Sequence, residues 1–78
     1  MSPDTLVRMA NQIAAFFRAQ GTETAPAAIA EHLRLFWEPR MRNAIIELEG
    51  NGAAAGLDPL AAAAVRMLKP VETAAKLV

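Results

Sequence analysis

The sequence predicts an all-α fold, a compact bundle of four short helices over about residues 3–20, 25–36, 39–49 and 59–69. Three observations lead there. Apolar residues recur at helical spacing in four separate stretches. Each stretch carries a proline at or just inside its start (Pro3, Pro26, Pro39, Pro59), where the missing N–H is tolerated and the fixed φ suits a helix. No stretch alternates polar and apolar residues as a half-buried strand would.

In the first helix Ser2 is the expected N-cap, Pro3 the first helical residue and Asp4 a complement to the positive end of the dipole. Leu6, Met9, Ala10, Ile13, Phe16 and Phe17 form its apolar stripe, with Arg8, Asn11, Gln12, Ala15 and Arg18 opposite, and Gly21 is a natural stop. The second helix has Thr24 as its expected cap and Ile29, Leu33, Phe36 and Trp37 on one face. Pro39 lacks an N–H and disfavours helical geometry at Glu38, so a short corner at Trp37–Glu38 is expected, with a kink in one long helix as the alternative. Met41, Ala44, Ile45 and Leu48 follow the i, i+3, i+4, i+7 rule in the third helix. Residues 50–56 then read as a flexible loop. Asp58 caps a fourth helix whose stripe is Leu60, Ala64, Met67 and Leu68, and Pro70 blocks its simple continuation. Residues 1–69 are read as one helical domain and 70–78 as a tail that frays or forms a last turn against a partner.

Composition bounds the function. Of 42 apolar residues 18 are alanine, leaving 24 larger side chains in a chain of 78, enough for one thin core. Domains this small are marginal alone, and the absence of cysteine removes disulfides and thiolate metal sites, so association is the remaining compensation. Eight basic and eight acidic residues cancel, which leaves no electrostatic footprint for nucleic acid or an anionic membrane. Six of the eight basic residues are arginine, a residue favoured at protein interfaces, although codon bias explains the count equally well. No apolar run is long enough to span a bilayer and the first residues lack signal-peptide features, so the expected location is the cytoplasm.

Reactive groups are scarce. His32 is the single histidine, without a second histidine or a carboxylate pair at ligand spacing, and reads as an ordinary imidazole beside the apolar stripe. Ser2, Thr5, Thr22, Thr24 and Thr73 lie near termini or loops, and spacing places none beside His32 with a supporting acid. Gly50, Gly52 and Gly56 follow no strand and lack the phosphate-binding pattern. The chain is therefore expected to work by docking rather than by chemistry of its own.

Four large apolar residues fall off the stripes: Val7, Leu35, Ile46 and Val65. Scattered exposure accounts for them as well as a second apolar face does. The face, if contiguous, predicts a homodimer of the isolated chain. Phe16, Phe17, Phe36 and Trp37, from the ends of two adjacent helices, are expected to meet and anchor the core.

At the corner the sequence resembles a known family. Met9-Ala10-Asn11-Gln12-Ile13-Ala14 with Phe16-Phe17 comes first. His32-Leu33 and Phe36-Trp37-Glu38-Pro39-Arg40-Met41-Arg42 follow, then Gly56-Leu57-Asp58-Pro59-Leu60 with Ala64-Val65. In this order and spacing, from Leu6 to Leu68, they resemble the delta subunit of NAD-dependent, molybdenum-containing formate dehydrogenases. The family often has Asp where this chain has Glu38. The resemblance implies a non-catalytic accessory subunit without a cofactor of its own. In the parent complex the alpha subunit holds the molybdenum cofactor and iron–sulfur clusters, and the beta and gamma subunits handle electrons and NAD through FMN. The implied role is support of assembly or stability through the alpha subunit.

Motif residues without a core role are the expected partner contacts: Asn11, Gln12, Arg40 and Arg42, with Trp37 and Pro39 shaping the corner. Two alternatives stand beside the accessory subunit. One is a transient assembly chaperone for the alpha subunit. The other is a helix-turn-helix DNA-binding protein using Arg40 and Arg42, against which Glu47, Glu49 and the neutral chain argue.

Overall fold

Local chemistry at the helix ends determines where each element of the computed structural model starts and stops. The structure describes residues 1–71. The helices are α1 (Pro3–Arg18), α2 (Ala25–Phe36), α3 (Pro39–Gly50) and α4 (Pro59–Arg66), with no strand among the described residues. Ser2 caps α1 by accepting the Thr5 N–H at 3.2 Å, and Asp58 caps α4 by accepting the Leu60 N–H at 2.8 Å. Thr24 and Glu38 precede α2 and α3 without a side-chain cap bond. The corner is as expected, not a kink: Trp37 and Glu38 are both extended, at ψ 140° and 152°.

Two helices end earlier than the periodicity suggests. After Arg18 the N–H groups of Gln20 and Gly21 turn to the Phe17 carbonyl, and Gly21 leaves the helix at φ 145°. After Arg66, Met67 and Leu68 donate to carbonyls three residues back, and Pro70 disfavours helical geometry at Lys69. Beyond α3 the glycine-rich segment has defined bonding. Ala53 donates to the Leu48 carbonyl at 2.8 Å and Gly52 to that of Glu49 at 3.2 Å, with Gly52 at φ 70°. This is a Schellman ending, which requires a left-handed residue where glycine stands. The expectation of a plain flexible linker missed this cap. Of the tail, Pro70 and Val71 are described, and Asn43 holds the Val71 N–H and C=O with both ends of its amide, at 2.7 and 2.6 Å. Residues 72–78, which carry most of the expected frayed tail, lie outside the described residues.

The core joins Leu6, Val7, Ala10 and Ala14 of α1 to Ile29, Ala30 and Leu33 of α2, Ile45 of α3, Ala61, Ala64 and Val65 of α4, and Trp37 and Leu68 beyond helix ends. α2 packs most heavily on α4, α1 touches all three other helices, and α2 and α3 diverge from their corner with little contact. Alanine fills many of the fully buried positions, which lets the helix backbones approach closely around a few branched side chains.

Two expectations about packing are corrected. The off-stripe residues do not form a second apolar face: Val7 and Val65 are core, Ile46 packs partly against it, and Leu35 alone is well exposed. The buried stripe of α1 is rotated toward Val7 and Ala14 because α1 must face three helices rather than one. The aromatic residues do not jointly anchor the core either. Trp37 is buried and Phe17 partly so, but Phe16 and Phe36 are 60% and 71% exposed.

Candidate functional site

The exposed rings belong to an open cleft between α1 and α2, about 430 Å3 in volume. Met9, Gln12, Ile13, Phe16 and Phe17 form the α1 wall, His32 and Phe36 the α2 wall, and Trp37 lies buried at the corner end. Helical spacing makes both walls: Met9, Ile13 and Phe16 stand four and three residues apart, and His32 and Phe36 four apart. The rings form a ladder. Phe16 and Phe17 meet edge to face at 5.0 Å between centroids, Phe17 and His32 at 6.1 Å, and His32 and Phe36 at 4.7 Å with a 39° tilt. His32 thus serves as a rung between two phenylalanines. Burying a phenylalanine side chain stabilises by about 1.5–3 kcal/mol, and Phe16 and Phe36 leave most of that gain unrealised within this chain.

On another side of α1 lies a polar seam. Asn11 donates Nδ2 to the Gly56 carbonyl at 2.9 Å and accepts the Asp58 N–H on Oδ1 at 2.8 Å. Arg18, two turns later on the same face, pairs with the Asp58 carboxylate. Asp58 is thereby held below the usual carboxylate value. Burial disfavours its charge, but the Leu60 N–H and the Arg18 guanidinium outweigh that cost, helped by the Ala61 N–H.

The residues expected to touch a partner do not share one surface. Gln12 and Trp37 both line the aromatic cleft. Asn11 spends both ends of its amide inside the chain. Pro39 is exposed at the first position of α3. Arg40 is exposed in a groove with Met1, Leu6, Glu38, Met41 and Ala44. Arg42, two residues on and so on another side of α3, donates Nη1 to the Arg34 carbonyl at 3.0 Å. The sequence reading missed Phe16 and Phe36 as surface residues, because their spacing is equally that of a core stripe, whereas His32, read as lying beside the stripe, is half-buried at its edge. The signal that separates the readings is that both phenylalanines sit at or near the C-terminal ends of their helices, where flanking elements do not reach to cover them.

Fold and cleft define a small all-α protein that turns an aromatic face to solvent. Among the described residues no helix is long and apolar enough to cross a membrane, and no group of three or more His, Cys, Asp or Glu side chains is placed to hold a metal. Residues 5–65 match the family model described as the NADH-dependent formate dehydrogenase delta subunit, FdsD, and the chain belongs to that family. No curated protein and no solved structure shows significant similarity to it.

Proposed function

We propose that this chain is a non-catalytic accessory subunit of a soluble, cytoplasmic NAD-dependent formate dehydrogenase, and that it docks on the alpha subunit through the aromatic cleft to support assembly or stability of the complex. The carrying observation is the exposure of Phe16 and Phe36 around that cleft in a chain of the delta-subunit family. Large apolar side chains left open at a concave site gain most from a complementary protein surface, and aromatic residues commonly dominate such interfaces. The molybdenum cofactor, iron–sulfur clusters, FMN and NAD are assigned to the partner subunits, and this chain takes the role of an adhesive. Gln12 at the cleft rim supplies a polar contact, while Arg40 and Arg42 lie on separate grooves outside the cleft and would contact the partner only if its footprint extends over α3.

Co-expression with the alpha subunit tests the reading. The double variant Phe16→Ser, Phe36→Ser is expected to lose recovery of the alpha subunit while its circular dichroism is unchanged. Recovery equal to that of the parent chain removes the cleft from the interface. Failure of the parent chain itself to co-purify overturns the docking reading. Arg40→Ala and Arg42→Ala, assayed the same way and for formate oxidation, report on the flanking contacts. Stoichiometry in the purified active enzyme separates a resident subunit from a transient assembly chaperone. In isolation the open rings drive self-association to a homodimer, and a strict monomer at high micromolar concentration in sedimentation removes that expectation.

A further inference from the structure

A second groove lies apart from the aromatic cleft. It is about 260 Å3 in volume and is lined by Arg34, Arg42, Met67, Leu68, Lys69 and Val71. Among the described residues all three of its charged side chains are basic, and no carboxylate lines it. Arg34 shares its charge with Glu31 of the preceding turn, Nη2 to Oε1 at 2.9 Å. Arg42 and Lys69 have no ion-pair partner among the described residues. The Arg42 guanidinium is held by its Nη1 bond to the Arg34 carbonyl, and its Nε is buried without a hydrogen-bond partner. Lys69 is exposed beside it, so the groove offers a partner carboxylate an open ammonium next to the Arg42 guanidinium. Beside these cations stands an apolar wall of half-exposed Met67 and of Val71, the latter held in place by the Asn43 amide.

We propose that this groove binds a partner polypeptide segment in which an Asp or Glu adjoins a large apolar residue. The carboxylate meets Arg42 and Lys69, and the apolar neighbour covers Met67 and Val71. Charge complementarity selects the acid, and the apolar wall selects a polypeptide over a free anion. The inference deepens the docking reading and rests on it only for whose polypeptide supplies the segment.

The test is a nuclear magnetic resonance titration of the labelled full-length chain with a capped peptide of alternating Leu and Glu. The controls are its Leu and Gln counterpart and inorganic phosphate at matched ionic strength. Saturable shifts are expected at Arg42, Lys69 and Val71, with binding about ten-fold weaker for the Gln peptide and for Lys69→Glu. Added salt should weaken the Glu peptide further, and Phe36→Ala should leave it unchanged. Lys69 is exposed, so its variant keeps the fold. Equal binding of the Gln peptide, shifts centred on Phe16 and Phe36, the same shifts from phosphate, or indifference to Lys69→Glu each overturn the proposal. Loss of alpha-subunit recovery in the cleft variant leaves this result untouched, so the two readings fail separately.

Discussion

Helix α1 is the shared wall of two regions built on opposite logic. Toward α4 it presents Asn11 and Arg18, and the loop at Gly56–Asp58 answers both side chains. Toward α2 it presents Met9, Ile13 and Phe16, and the answering wall stops short, leaving two phenylalanines in solvent. The seam is closed because its polar groups are directional and each finds a partner within the chain. The cleft stays open because apolar rings need area rather than a particular atom, and a chain of 78 residues has too few large side chains to supply it. The closed region holds the fold together and the open one is available to a partner. The helix N-termini repeat the contrast. Asp58 and Glu38 both precede a proline, at ψ 137° and 152°, yet only the aspartate in the seam caps its helix, while Glu38, outside the seam, does not.

The largest effect is expected where neither region is involved. Leu33→Ala, at a fully buried position of α2, should cost about 2–5 kcal/mol, most of the stability of so small a domain, read as collapse of the cooperative thermal transition. Breaking the seam comes next. Asn11→Ala leaves the Asp58 N–H and the Gly56 carbonyl without their side-chain partner and should cost about 1–3 kcal/mol, whereas the adjacent Gln12→Ala should stay within about 0.5 kcal/mol. Equal losses at the two positions in denaturant melts would erase the distinction between the two sides of α1.

Strong acid should act on the seam. Asp58 titrates below its ordinary value of 3.8, so its stabilisation is complete above that value and disappears as pH falls through the lower folded-state one. Tm should therefore decline as the solution is taken below the ordinary value, and Asp58→Asn should remove that part of the decline. A profile identical in the two proteins contradicts the assignment. At the start of α3, Glu38→Asp shortens the side chain to the length that caps α4 and should raise stability by about 0.5–1 kcal/mol, read by thermal melts. The smallest change in stability belongs to the cleft itself. Phe36→Ala, at a residue 71% exposed, should shift unfolding by no more than about 0.5 kcal/mol, so any loss of partner recovery in that variant is a loss of contact rather than of fold.

Four helices, their caps at Ser2 and Asp58 and the corner at Trp37–Glu38 were legible in the sequence, because proline, capping side chains and helical periodicity act within a few residues. The candidate site was legible only in part. Gln12 and Trp37 were named and do line the cleft, but Phe16 and Phe36 were assigned to the core, since a stripe at helical spacing looks the same whether or not something covers it. The bonds of Asn11 reach residues more than forty positions away, and no local pattern encodes them. The sequence by itself determined where helices begin and that reactive groups are few. Which face of α1 is buried, which asparagine is internal and which rings stay open were decided by the tertiary structure alone, because burial depends on what other helices bring within a few ångströms, and that is a property of the assembled chain.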